Sequence, residues 1–114
     1  MSARKWRFRI YDILQSLEGI CSDIENMDYE QFLNDRKTRN SVARELEIIG
    51  EAARHIPSDI EMIYPQIPWR LMRDMRNIIA HEYFGIDWHI VWETATHDLP
   101  TLIPFLELCL QEKD

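Results

Sequence analysis

Apolar residues recur at three- and four-residue steps along most of the chain, the spacing of one buried face on an α-helix. Ile10, Ile13, Leu14, Leu17, Ile20, Cys21 and Ile24 predict a first helix over roughly residues 4–26. The segment Asn26-Met27-Asp28-Tyr29 breaks the pattern, and a short turn around Glu30, Phe32, Leu33 and Asp35 is expected to turn Phe32 inward. A second helix runs from near Thr38 to Ile56, with Val42, Leu46, Ile49, Ala53 and Ile56 on its apolar side. Pro57 ends it, because proline lacks the backbone donor and disfavours helix in the residue before it. Ser58 or Asp59 is expected to cap a short turn through Met62, and Tyr64-Pro65-Gln66-Ile67-Pro68 reads as a rigid connector. The third helix starts near Trp69, points Leu71, Met72, Met75, Ile78 and Ile79 inward, and stops around His81–Phe84 with Gly85 as a left-handed C-cap. Asp87 then caps a fourth helix whose stripe runs through Trp88, Val91, Trp92, Ala95, Leu99, Leu102, Ile103, Leu106 and Leu110. Pro100 and Pro104 fall inside that stripe and should kink or split it. With no period-two run and no internal repeat, the expected fold is all-α: one domain over residues 1–114, an antiparallel bundle of four or five helices. The Trp, Phe, Leu and Ile content exceeds what so thin a bundle hides, which predicts an apolar seam for self-association.

Composition narrows the class without changing the fold. An apolar fraction of 46% and a charged fraction of 29% fit a folded globular chain. Apolar runs are too short to span a bilayer, and MSARKWRFRI has no apolar stretch behind its charges, so neither membrane insertion nor a secretory leader is expected. Cys21 and Cys109 lie in apolar-periodic stretches with no CxxC and no zinc-type spacing, which favours two buried thiols in a reducing cytoplasm and leaves a disulfide between them open. The net charge of −7 is uneven: residues 77–114 carry only Lys113 against seven acidic residues. Such a chain does not attract nucleic acid by bulk charge, so any such contact must be local or assembled from two copies.

Candidate chemistry concentrates in Arg73-Asp74-Met75-Arg76-Asn77-Ile78-Ile79-Ala80-His81-Glu82-Tyr83. Arg76 offers a permanent cation with a planar fork of donors that suits phosphate. Histidine is the one side-chain type whose ordinary pKa lies near neutral pH, so His81 is a candidate to take or give a proton. Asn77, four residues before His81 on nearly the same face, is placed to orient the imidazole or bind an oxygen, and Tyr83 adds a phenol beyond the helix end. Together these groups suit metal-free cleavage of RNA, in which the ribose 2′-hydroxyl attacks the neighbouring phosphorus. His81 would act as base or acid, and Arg76 would hold the charge on the phosphorane. Residues five apart on a helix point about 140° from one another, so Arg76 and His81 of one copy do not converge. A two-fold dimer resolves this, with both chains lining one cleft that also gathers Arg73. The same residues also fit a solvated arginine, a helix-end histidine and a half-buried tyrosine in a plain structural bundle.

A wider set of segments bears on these alternatives. Leu46-Glu47-Ile48-Ile49-Gly50-Glu51-Ala52-Ala53, then Ile67-Pro68-Trp69, then Met75-Arg76-Asn77-Ile78-Ile79-Ala80-His81-Glu82-Tyr83-Phe84, and finally Val91-Trp92-Glu93 and Asp98-Leu99-Pro100, resemble the HepT toxins of the HEPN superfamily in order and spacing over nearly the whole chain. The resemblance implies a helical HEPN-type homodimer with the cleft at its interface and metal-independent endoribonuclease activity without a cofactor. It implies catalytic roles for Arg76 and His81, with Asn77 in support. It also implies a partner, an MNT-type nucleotidyltransferase antitoxin that transfers AMP from ATP onto the motif tyrosine, here Tyr83. A bulky anion there would fill the cleft and repel RNA. The alternative from another class is a non-catalytic helical module that binds nucleotide or RNA without cleaving it.

Lesser candidates remain. His89, Glu93 and His97 share one helical row and have metal-ligand chemistry, although a solvated polar face explains them as well. His55 beside Pro57 reads as a cap-region histidine. Glu51 either points toward the site from the second helix or pairs with an arginine of the third. Arg4, Lys5, Arg7 and Arg9 suit RNA or an acidic partner, or simply a solvated helix start.

Overall fold

A computed structural model describes residues 5–111, and all regular structure among them is helical. The elements are α1 (Lys5–Asp23), α2 (Tyr29–Leu33), α3 (Arg36–Ala53), α4 (Ser58–Ile63), α5 (Trp69–His81), α6 (Trp88–Glu93) and α7 (Ile103–Gln111). Residue 4, where the first helix was expected to start, lies outside the described residues, as does Arg4 of the basic cluster.

Helix α3 is the centre of the bundle. Its stripe Val42, Leu46, Ile49 and Ala53 is buried, and its small residues Ala43, Gly50 and Ala52 let neighbours approach closely. Helix α1 runs antiparallel to α3: Ser41 donates to Asp23, and a Cβ on Gly19 would lie 3.1 Å from Glu45. It contributes Ile10, Ile13, Leu14, Leu17 and Ile20 to the core. Helix α7 closes back on α1, where Arg7 Nη1 donates to the carbonyl of Leu110 at 3.3 Å. The short α2 is fixed by a reciprocal capping box between Asp28 and Gln31 and buries Phe32 against Trp88 and Trp92. Asn26, at φ 65°, supplies the left-handed residue that turns the chain out of α1.

The prolines divide the last helical run as expected. Pro100 has no N–H to continue the ladder, so Leu99 N–H reaches back to Thr94 O at 2.9 Å and widens Thr94–Asp98 into a π-type turn. A tight 3₁₀ turn at Pro100–Leu102 then leads into α7. Asp87 caps α6 through the N–H groups of His89 and Ile90, as the sequence predicts.

Four expectations need correction. Gly85 is not a left-handed cap: α5 ends through Glu82 at φ −133°, and Tyr83–Gly85 form a 3₁₀ turn. Neither Ser58 nor Asp59 caps α4, whose N-cap is Pro57 without a side-chain bond. Leu71 and Ile78 do not point inward; about half of each is exposed while Met72 and Ile79 are buried. Only Cys109 is a fully buried thiol, and burial pushes it up to about 11. Cys21 is half-buried, raised by burial and then by the nearby Glu18 charge, and both cysteines are free. No described helix is long and apolar enough to cross a membrane.

Candidate functional site

The motif residues lie along the seam between α3 and α5, which run antiparallel. At one end of the seam, Gly50 faces Met72 and Arg76 so closely that a Cβ on residue 50 would sit 2.5 Å from the Met72 carbonyl oxygen and 2.2 Å from Arg76 Cβ. Only glycine allows this approach, which fixes the stem of Arg76 against the α3 backbone. The neighbouring Glu51 carboxylate lies 3.7 Å from Arg76 Nε. It also accepts hydrogen bonds from Arg54 Nη1 at 3.0 and 3.2 Å and lies 3.6 Å from His55 Nε2. The hydrogen bond from Arg54 is the main cause that holds Glu51 below the usual carboxylate range, with the Arg54 and Arg76 charges adding to it.

Arg76 Nη1 donates to Asn77 Oδ1 at 3.3 Å. Asn77 therefore serves the guanidinium, and no bond joins it to the imidazole four residues later. Arg76 also borders a groove of about 310 Å³ lined by Arg9, Asp12, Arg44, Glu47, Glu51 and Arg54. Arg73 faces another way, its Nη1 held 3.2 Å from Glu61 of α4.

His81 closes α5, exposed, with no hydrogen-bond or ion-pair partner for its ring among the described residues. Two residues on, the Tyr83 hydroxyl donates to Asn40 Oδ1 near the start of α3. Its ring packs edge-on against Phe84 and Trp88, at centroid separations of 5.6 and 6.1 Å. Arg39, whose Nη1 reaches the Leu33 carbonyl, lies over the Trp88 ring 5.4 Å from its centroid.

Asn40 and Glu51 share one face of α3 but are separated by about three turns, roughly 16 Å along the axis. The partners of Tyr83 and of Arg76 thus sit at opposite ends of the seam, and one chain does not draw the two groups together. Between and beyond them α5 and its sequel leave Ile78, Phe84 and Ile90 exposed, Phe84 fully so. A separate apolar cavity of about 240 Å³ between α3, α5 and the π-type turn contains none of the motif residues Arg76, Asn77, His81 or Tyr83.

Two contributors, Asn40 and Gly50, escape a reading based on reactive residue types. The other candidates resolve simply. His55 and Glu51 pair with one another, and Glu51 also reaches the α5 arginine Arg76. In the row on α6 and the π-type turn, Glu93 lies 3.6 Å from His89 and 3.3 Å from His97. No group of three or more His, Cys, Asp or Glu among the described residues is arranged to hold a metal ion. Arg9 approaches Asp12 at 3.9 Å on the exposed side of α1.

Comparison with known proteins agrees with the family resemblance. The family described as Ribonuclease HepT-like matches residues 13–109. The chain is 41% identical over 102 residues to "Putative RNase MJ1216" of Methanocaldococcus jannaschii, covering 90% of this chain and 84% of that one. It is 39% identical over 108 residues to "Putative RNase MJ1380" of the same organism, covering 95% and 99%. It is 44% identical over 91 residues to "Probable ribonuclease HepT" of Thermococcus cleftensis, covering 80% and 83%. No solved structure matches the chain. Matched along most of its length and carrying the motif on an all-helical bundle, the chain belongs to the HepT-like ribonuclease family.

Proposed function

We propose that the protein is a metal-independent endoribonuclease whose cleft is shared by two copies of the chain, the toxin half of a toxin–antitoxin pair. The observation that carries this reading is the state of the two motif groups: Arg76 is clamped beside a groove, and His81 is exposed with its ring unengaged among the described residues. A guanidinium fixed at its stem presents its remaining donors without reorganisation, which favours stabilising charge as it develops. An unengaged imidazole is available to move a proton.

In the reaction, His81 accepts the proton of the ribose 2′-hydroxyl or donates one to the departing 5′-oxygen, and water carries the other proton. The 2′-oxygen–phosphorus bond forms as the phosphorus–5′-oxygen bond breaks, leaving a cyclic phosphate and a free 5′-hydroxyl. Arg76 offsets the charge on the phosphorane. Arg76 and His81 both lie on α5, five residues apart and pointing about 140° from one another, which favours a two-fold arrangement in which a second copy carries its Arg76 toward the first copy's His81. The exposed Ile78, Phe84 and Ile90 supply apolar surface for that pairing. A role for Arg73 in binding RNA requires phosphate to replace Glu61 as its partner.

Regulation follows from Tyr83. Its side chain is partly exposed, and an MNT-type nucleotidyltransferase partner would direct the phenolic oxygen to the α-phosphorus of ATP. Pyrophosphate leaves, the phenolic proton passes to a base, and the added AMP blocks RNA by bulk and charge.

His81→Ala and Arg76→Ala each remove cleavage of single-stranded RNA by the unmodified protein while leaving its helical circular dichroism unchanged. Cleavage that persists in His81→Ala overturns the enzyme assignment. RNA retained on a filter by wild type, with no product on a gel, would replace it with the non-catalytic binding module.

A further inference from the structure

The proposed reaction needs Arg76 held in one pose, and the fold supplies a device for this outside the motif. Resting on the ribonuclease reading above, we propose that Glu51 is a positioning residue: its carboxylate, locked by Arg54, seats Nε of Arg76 so that Nη2 of the guanidinium faces the substrate phosphate.

Three observations converge on this. First, Gly50 removes the freedom of the Arg76 stem, because the α5 backbone lies where a side chain at residue 50 would be. Second, the next residue places a carboxylate 3.7 Å from Nε, and that carboxylate is not free to wander: Arg54 grips it through both oxygens and His55 Nε2 lies 3.6 Å away. Third, Asn77 takes a hydrogen bond from Nη1, so Nε and Nη1 both face protein while Nη2 has no partner among the described residues. A guanidinium has five N–H donors in a rigid planar fork, and holding Nε and Nη1 aims Nη2.

Stability does not account for this arrangement. Exposed ion pairs of this kind contribute little to folding, and nearly half of the Glu51 side chain is open to solvent. Orientation is the more sensitive quantity, since a displacement of about 1 Å in a reacting group costs on the order of 100-fold in rate.

The test compares wild type, Glu51→Gln and Glu51→Asp in the intact protein. Two readouts are used: steady-state cleavage of a short fluorophore-quencher RNA oligonucleotide, and the Nε–Hε resonance of Arg76, assigned by its loss in Arg76→Lys. Glu51→Gln is expected to lower kcat by about 10- to 100-fold with KM and the thermal midpoint little changed, and to shift the Arg76 resonance. Glu51→Asp should recover part of both. The proposal is overturned if the Arg76 resonance does not respond to Glu51→Gln. It is equally overturned if only KM rises, which would make Glu51 a substrate contact, or if kcat increases, which would make the carboxylate a competitor of phosphate. Absence of cleavage by wild type, with the resonance still responding, would sink the ribonuclease reading and leave the seat of Arg76 standing.

Discussion

The two ends of the α3–α5 seam solve the same problem by different means. At the Gly50 end, α5 meets backbone, and a charged side chain is held because nothing intervenes between the helices. At the Asn40 end the helices are joined through side chains, a phenol on an amide and rings packed edge to edge. Backbone contact is rigid and intolerant of added atoms. Side-chain contact is adjustable, and the group it holds is released at the cost of one hydrogen bond. The difference fits the proposed division of labour: Arg76 has to stay in place through every turnover, whereas Tyr83 has to leave Asn40 if it is to be modified.

The contrast can be broken at its rigid end with one methyl group. Gly50→Ala places a carbon within 2.5 Å of the Met72 carbonyl, so α5 must move. A loss of about 3 kcal/mol is expected by urea unfolding, with RNA cleavage abolished in the fraction that still folds. At the adjustable end Asn40→Ala should cost only about 1 kcal/mol by the same measurement, because the Tyr83 ring keeps its contacts with Phe84 and Trp88. Equal losses at the two positions would erase the distinction.

Acid sharpens the comparison with the smallest effect. The depressed Glu51 carboxyl binds fewer protons folded than unfolded, so its contribution is present above the ordinary glutamate value near about 4.3 and is lost as pH falls through the folded value. Asn40 carries no titratable group. Thermal midpoints of wild type and Glu51→Gln should therefore differ slightly at neutral pH and merge in acid, while Asn40→Ala keeps a constant offset. Solvent screening keeps the first difference small.

Much of this molecule is legible in its sequence because helical period and punctuation agree. Phe32, Asp87 and Pro100 each do locally what their chemistry dictates. The errors arise where position depends on distant partners. Leu71 and Ile78 sit on an apolar stripe wider than the core requires, and periodicity alone cannot say which edge of a wide stripe is left outside. Gly85 has no need of a left-handed cap once a 3₁₀ turn takes the chain out of α5. Asn77 turns to the adjacent Arg76 instead of His81 because the guanidinium is already fixed nearby. Asn40 becomes relevant only when α5 and its sequel fold back along α3. Gly50 did leave a signal: a glycine amid good helix formers costs about 1 kcal/mol, a cost that points to a close neighbour.

The central claim is that each cleft takes its guanidinium from one copy and its imidazole from the other, and mixing two inactive variants tests it directly. Arg76→Ala and His81→Ala chains are unfolded together, refolded, and assayed on RNA. A two-fold cleft of this kind holds two such Arg76–His81 pairs, and each mixed dimer keeps one of them intact, so about a quarter of wild-type activity should return at random pairing. A mixture as inactive as either parent, in dimers shown by mass to be mixed, would place both groups in one chain and contradict the account.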